Sequence, residues 1–452
     1  MNNLKKRKKG ILPLCILLFS LVLAVDVGAA SIKLNKKAVT LEAGKSITLK
    51  VKGTKKKVTW TSSNKKVATV SKAGKVTAKK KGTANIYAKV KNKKLKCRVT
   101  VKAAKAKTPL SKYWAADSNA AKRLRNYVKK ATDPRDKAHY IPKRDRIAVF
   151  DMDGTLTCET YYTYYDTMMF IEYCLKDHPE RVSEDLKNTA ASIKPGYTAG
   201  EALARDFARA YAGMTIQQLY DYAVKFGKKK TTSFNNMRYI DGFYLPMVEV
   251  VKYLYDNGFT IYVVSGTERT TTRAIVANSP IKNYVTPNHV IGTEFEVKQK
   301  GHETTPSNMD YKYVDGDDLV ITGGFVQKNL NSNKSIFIER EIGQRPVLAF
   351  GNSGSDTSMM NYTLDRRNPY PAQAYMVVAD DNVREWGTQD WAKKSAEYTA
   401  QGYIPVSMKK DFARIYPAPI TRSKQQYTGP VSELPKTEFL KKAGAEGYIK
   451  AA

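Results

Sequence analysis

Arg146-Ile-Ala-Val-Phe-Asp-Met-Asp-Gly-Thr-Leu-Thr157 is the stretch on which the reading of this chain turns. Four apolar or small residues, Ile147–Phe150, form a short buried β-strand. The strand then presents Asp151 and Asp153 at its carboxyl edge, and Gly154 with Thr155 turns the chain away. Carboxylates one residue apart repel unless a cation or a shared proton relieves them. A strand closed by an Asx turn is the plain alternative.

Three later segments weigh against that alternative. Phe259-Thr-Ile-Tyr-Val-Val-Ser-Gly266 is a second apolar strand, ending in a hydroxyl and a glycine. Lys334 opens an amphipathic stretch running to Gly343. Pro346-Val-Leu-Ala-Phe-Gly-Asn-Ser-Gly-Ser-Asp356 is a third buried strand that enters a polar, glycine-rich loop. Each has a bland reading: a capping serine, a solvated lysine, an ordinary strand-to-helix turn. Their order is the signal. The four segments resemble, in sequence, the four motifs of the haloacid-dehalogenase superfamily, and most of all its phosphoserine-phosphatase-like branch. The resemblance covers about residues 146–420.

Strands alternate with helical stretches across this region, which predicts an α/β Rossmann-like parallel sheet covered on both faces. The strands read as Ile147–Phe150, Thr260–Val264, Val347–Phe350 and Tyr375–Ala379. Helices read as Asp117–Ala131, Tyr161–Lys176, Glu184–Ile193, Ala199–Tyr211, Ile216–Phe226 and Asp241–Asn257. The resemblance implies that those after the first strand form a helical cap, about residues 157–245. Val290–Val326 reads as a β-hairpin flap. The whole domain spans 113–426, with a loosely held tail at 427–452.

The resemblance implies phosphoryl chemistry. Asp151 is the expected nucleophile, forming an aspartyl-phosphate. Asp153 is the expected general acid and base. Thr155 shapes the loop. Ser265 and the Gly266 N–H, placed at a helix start, are expected to hold phosphoryl oxygens. Lys334 is expected to neutralise phosphoryl charge, with Lys328 a nearby alternative. Mg²⁺ would take hard oxygen ligands from Asp151, the Asp153 carbonyl and the loop after Phe350. Here the chain departs from the commonest family form, because Asn352 stands where an acid is usual. Either Asn352 or Asp356 is the third ligand.

Glu159 occupies a place where the phosphoserine-phosphatase-like branch uses a glutamate near a substrate amine. Its alternative is a surface carboxylate at a helix N-terminus. Tyr161, Tyr162, Tyr164 and Tyr165, with Met168 and Met169, read as cap core or as an aromatic pocket for a cationic ester such as phosphocholine. The expected function is a secreted, Mg²⁺-dependent phosphomonoesterase acting on a small phosphate ester, amine-bearing ones such as phosphoserine or phosphocholine included. The alternatives are a catalytically weak binding protein on the same fold and a phosphotransferase or phosphomutase.

The rest of the chain reads differently. Its net charge is +35, yet residues 31–107 carry 25 Lys/Arg against the single acid Glu42. Residues 31–102 alternate apolar and polar positions, with Gly or Asn turns at Gly44, Gly53, Asn64, Gly74, Gly82 and Asn92. That pattern predicts a small antiparallel β-sandwich. Val58–Thr77, with its Val58-Thr-Trp-Thr-Ser-Ser-Asn core, resembles the bacterial Ig-like domain of group 2, a cell-surface module. Residues 103–112 read as a linker. Lys5–Lys9, the apolar run Ile11–Val25 and Val27-Gly-Ala-Ala30 read as a signal peptide over residues 1–30. Secretion or cell-surface association in a Gram-positive-like bacterium follows as the expectation. Anionic envelope polymers are the expected partner of the lysines. Nucleic acid is disfavoured, since no aromatic platform interleaves them. Cys97, Cys158 and Cys174 make no disulfide framework, though Cys158 and Cys174 have the option of pairing.

Overall fold

The computed structural model describes residues 31–103, 109–159, 163–194 and 200–424. The signal-peptide stretch, residues 104–108 of the linker, Tyr161, Tyr162 and the tail from 427 lie outside the described residues. The chain divides into two compact units, residues 1–106 and 107–452.

The first unit is a β-sandwich. One sheet runs Ala38–Glu42, Lys93–Lys102, Gly82–Val90, Thr59–Ser62, and the other Ser46–Thr48, Lys75–Ala78, Ala68–Val70. Its core is made by the inward positions of the alternating pattern, among them Leu49, Val76, Ile86, Cys97, Val99 and Val101. The outward positions are basic, and every Lys and Arg from 31 to 103 is exposed. The fully antiparallel expectation is corrected in one place. Ala38–Glu42 pairs parallel with Arg98–Lys102, a non-local pairing that no hairpin turn announces in sequence.

The second unit carries a seven-stranded sheet. Its strands are β1 (Ile147–Phe150), β2 (Thr260–Glu268), β3 (Val290–Gln299), β4 (Leu319–Gln327), β5 (Leu348–Gly351), β6 (Gln373–Val378) and β7 (Ile404–Ser407). The order is β4-β3-β2-β1-β5-β6-β7. All neighbours are parallel except β3 and β4. All four residues of β1 are buried, as a parallel strand covered on both faces requires. The helices are α1 (Asn119–Thr132), α2 (Tyr165–Glu172), α3 (Glu184–Ser192), α4 (Glu201–Ala210), α5 (Ile216–Gly227), α6 (Leu245–Asp256), α7 (Arg269–Ala277), α8 (Ser332–Ile342), α9 (Thr357–Leu364) and α10 (Trp391–Ala400). Helices α2 to α5 form the insertion after β1.

Three sequence expectations shift. The Val290–Val326 hairpin is not a separate flap: β3 and β4 extend the central sheet. Helix α6 starts at Leu245 rather than Asp241, because Pro246 fits only the first helical turn. Strand β2 runs past Val264 to Glu268, with an irregularity in its pairing to β3 between Val264 and Glu268. Such bulges re-aim side chains beside sites. Helix α7 therefore begins after Glu268, whose carboxylate accepts from the N–H groups of Thr270 and Thr271 at 2.6 and 2.7 Å. The three cysteines are free and buried. Cys158 lies 3.3 Å from the Glu385 carboxylate. Among the described residues no helix is long and apolar enough to cross a membrane.

The segment entering the second unit is fastened by one buried carboxylate. Glu249 on α6 accepts from the backbone N–H groups of Ser111, Lys112 and Tyr113 at 3.0–3.2 Å. Three donors lose their acceptor together in Glu249→Ala. That variant is expected to lose about 2–3 kcal/mol of stability, read from the urea midpoint of the full chain. An unchanged midpoint would show that water replaces the carboxylate without cost.

Candidate active site

The carboxyl ends of β1, β2 and β5 converge because these strands are neighbours in the sheet. Lys334, on the first turn of α8, is fully buried at that point. Its ammonium donates to Asp151 Oδ1 at 2.5 Å, Asp356 Oδ1 at 2.6 Å and the Val264 carbonyl at 2.9 Å. A lysine ammonium has three N–H donors, so this one is fully used. Burial works against its charge, but the two carboxylates more than offset that and hold its pKa above that of an ordinary lysine. Asp151 is pushed up to about 7, first by burial and then by the charge of Asp356.

The second oxygen of Asp151 accepts from the Thr155 hydroxyl at 3.1 Å, and the same hydroxyl lies 3.5 Å from Asn352 Oδ1. Asn352 Nδ2 donates to Glu159 at 2.9 Å, and Tyr164 donates to the other Glu159 oxygen at 3.0 Å. Gly154 is required beneath this contact. Its φ is +81°, and a Cβ there would stand 2.0 Å from Asn352 Nδ2. Asp356 turns its other oxygen to the backbone N–H groups of Asn352 and Ser353 at 3.0 and 3.1 Å. Both Asp356 oxygens are thereby occupied in shaping the loop.

Asp153 accepts from the Thr267 hydroxyl at 3.0 Å. Burial raises its pKa well above the ordinary value, helped by the charges of Asp166 and Asp151. Asp166, on cap helix α2, is also raised, chiefly by burial. These groups surround a cavity of about 340 Å³ lined by Asp151, Asp153, Glu159, Tyr164, Asp166 and Thr267, with Gly266, Lys328, Leu330 and Ser353–Ser355 completing it.

Of the residues read from sequence, Asp151, Asp153, Glu159, Tyr164, Gly266 and the alternative lysine, Lys328, line the cavity. Thr155, Asn352, Lys334 and Asp356 stand behind Asp151 and its loop. Ser265 does not reach the cavity: it is fully buried, and its hydroxyl accepts from the Thr267 N–H at 3.1 Å. The bulge in β2 turns Thr267 toward Asp153 instead. Sequence reading missed Thr267 and Asp166. The first was signalled only by a hydroxyl two residues beyond Ser265, the second by nothing local. Among the described tyrosines of the aromatic stretch, Tyr164 faces the cavity. Tyr165 packs edge-on against Phe226 and Tyr239 inside the cap.

Among the described residues, no three His, Cys, Asp or Glu side chains gather as a metal-binding group. A divalent ion would instead rest on the Asp151 carboxylate, the Asn352 amide oxygen and the Asp153 carbonyl. The fit is chemical. Asp151 Oδ2 and Asn352 Oδ1 flank one hydroxyl, all three candidate donors are hard oxygens, and the surrounding carboxylates repel one another.

Two family models match the chain: residues 28–101 as a bacterial Ig-like domain (group 2), and residues 148–361 as a haloacid dehalogenase-like hydrolase. The chain thus carries an Ig-like domain of that group followed by a haloacid dehalogenase-like hydrolase domain. Among solved structures, a protein of unknown function from Anaerococcus prevotii DSM 20548 is 12% identical, with 66% of this chain and 94% of that one covered and a TM-score of 0.41. One from Bordetella pertussis Tohama I is 15% identical, covering 58% and 97%, with a TM-score of 0.37. A cytosolic 5'-nucleotidase IIIB bound to cytidine is 9% identical, covering 64% and 86%, with a TM-score of 0.33. No curated protein sequence matches the chain.

Glu159 supplies a pH test of this electrostatic picture. Its pKa is raised from 4.5 to about 7, first by burial and then by the charges of Asp151, Asp356 and Glu385. The folded state therefore binds a proton that the unfolded chain releases between pH 4.5 and about 7. Stability drains away as pH rises through that window and is level above it. Glu159→Gln removes this drain. In chelated buffer its urea midpoint is expected to exceed that of the wild type at pH 8 but not at pH 4.5. Equal midpoints at both pH values would show that Glu159 ionises at no cost.

Proposed function

We propose that the chain is an exported, Mg²⁺-dependent phosphomonoesterase that works through an aspartyl-phosphate. The observation that carries this reading is the pairing of Asp151, its oxygens fixed by Lys334 and Thr155, with Asp153 on the wall of one cavity.

An ester phosphate resists attack because its charge repels nucleophiles, so the site must supply compensating charge. Bound Mg²⁺ would supply part of it, from the donors named above. Asp151 attacks phosphorus. The bond to the ester oxygen breaks, and Asp153 passes its proton to that oxygen, releasing the alcohol. Water then attacks the phosphorus of the aspartyl-phosphate while Asp153 takes one of its protons. Phosphate leaves, and the Asp151 carboxylate is restored. The raised pKa of Asp153 suits the first proton transfer. The contact of Thr267 fixes which way its carboxyl faces.

Glu159 and Asp166, with the ring of Tyr164, support a leaving group that bears a cation, such as the amine of phosphoserine or the quaternary ammonium of phosphocholine. The exposed lysines of the sandwich support retention on anionic envelope polymers, and the amino-terminal stretch supports export in a Gram-positive-like cell. One observation favours a second reading, a weakly catalytic binding protein: Asn352 brings no charge to the metal position.

The test is hydrolysis of a generic aryl phosphate by the mature protein. Chelation is expected to abolish it and Mg²⁺ to restore it. Asp151→Asn is expected to lower kcat by roughly 10³-fold or more. Full activity in that variant ends this mechanism. Magnesium binding without turnover on a broad ester panel favours the second reading.

A further inference from the structure

Lys334 has no donor left for a ligand, yet the cavity holds a second ammonium. Lys328 follows β4 directly and is only 6% exposed. Among the described residues it makes no side-chain hydrogen bond or ion pair. It is also the one cationic side chain among the described residues lining the cavity. Asp166 and Asp153 act on it through space, but neither stands at ion-pair distance. A buried charge without a partner is costly, and burial pulls the Lys328 pKa down.

The backbone carrying Lys328 is pinned. Its carbonyl accepts from Asn333 Nδ2 at 2.8 Å. The next residue, Asn329, donates its N–H to Thr293 Oγ1 at 3.1 Å and its side-chain amide to the Ser265 carbonyl at 3.0 Å. Thr293 in turn donates to the Gly266 carbonyl at 2.6 Å. The backbone at Lys328 is thus held beside Gly266, and the charges of Asp166 and Asp153 act on its ammonium. Asp166 and Asp153 favour its charge from a distance, yet among the described residues none of its three N–H donors meets a protein acceptor.

We propose that Lys328 is an anion-binding residue of this cavity, with a ligand oxyanion as its missing partner. The two lysines then divide the work: Lys334 holds the nucleophile, and Lys328 receives the ligand. The oxyanion is either a non-bridging oxygen of the phosphoryl group or a carboxylate on the leaving group. This rests on the phosphatase reading above for the identity of the ligand, but not for the presence of an anion site.

The test uses the mature chain, Lys328→Met and Lys328→Arg. Inorganic phosphate is titrated calorimetrically with Mg²⁺ present, and kcat/KM is measured for aryl phosphates with and without a carboxylate on the ring. If the phosphoryl group is the partner, Lys328→Met weakens phosphate binding about 10- to 100-fold and raises KM for both esters. If the leaving group is the partner, phosphate binding holds and only the carboxylated ester loses kcat/KM. Lys328→Arg retains part of either effect. The melting temperature of Lys328→Met is expected to be no lower than that of the wild type, since an unpaired buried charge is removed. Unchanged phosphate affinity and unchanged kinetics on both esters overturn the proposal, most plainly if the melting temperature also falls. A wild type that binds phosphate at Lys328 but hydrolyses neither ester defeats the phosphatase reading and leaves this one standing.

Discussion

Two carboxylates sharing one buried ammonium is the constraint from which the rest of the second unit follows. Lys334 draws one atom each from the end of β1, from β2 and from the loop after β5, while itself riding on α8. Replacing such a group with apolar side chains often costs no stability, but removing one partner leaves a buried charge exposed to its neighbours. Its role is therefore better understood as fixing geometry than as adding stability. It also explains the strand order. Asp151 and Asp356 can meet one ammonium only if β1 and β5 are adjacent, and the Val264 carbonyl only if β2 lies on the other side of β1.

The same arrangement leaves the cavity short of positive charge. Four carboxylates line it, and Lys334 is already committed behind them. Burial raises each of their pKa values, so gathering them in one cavity works against their charged forms. A divalent ion at Asp151 and Asn352 would reverse that preference for Asp151 while leaving Asp153 able to carry a proton. Asn352 fits this division. Its amide donates to Glu159, which leaves its oxygen turned toward the Thr155–Asp151 side. A carboxylate in its place would meet Glu159 as a like charge. The amide at position 352 and the acid at position 159 therefore belong together.

Much of this was legible in the sequence because it rests on local patterns. The buried strand before Asp151, the polar loop after Phe350 and the period-two sandwich are signals of spacing and turn chemistry. The convergence of Asp151, Lys334 and Asp356 was legible only through the order of motifs. What escaped was set by register and tertiary geometry. Around the irregularity between Val264 and Glu268, Ser265 is buried and Thr267 meets Asp153. Asp166 reaches the cavity from a cap helix whose own pattern says only that it is buried. Lys328 and Lys334 look alike in sequence, and only their hydrogen bonding tells the committed lysine from the one without a partner. The parallel pairing of Ala38–Glu42 likewise depends on a contact far along the chain.

The two units put charge to opposite uses, and physics separates them. In the sandwich every Lys and Arg from 31 to 103 is exposed, so each is well solvated and adds little to folding. Their collective field is screened beyond about 8 Å at physiological ionic strength. The proposed retention on anionic polymers would therefore rest on many weak, salt-sensitive contacts, without a shaped pocket. The cavity has few charges, and its carboxylates are buried and hydrogen-bonded, where salt screens little. Its carboxylates are each held by a named partner, Asp151 by Lys334 and Thr155, Asp153 by Thr267, and Glu159 by Asn352 and Tyr164. Under the proposed reading, salt would weaken retention while leaving the cavity's contacts in place, since no side chain serves both tasks.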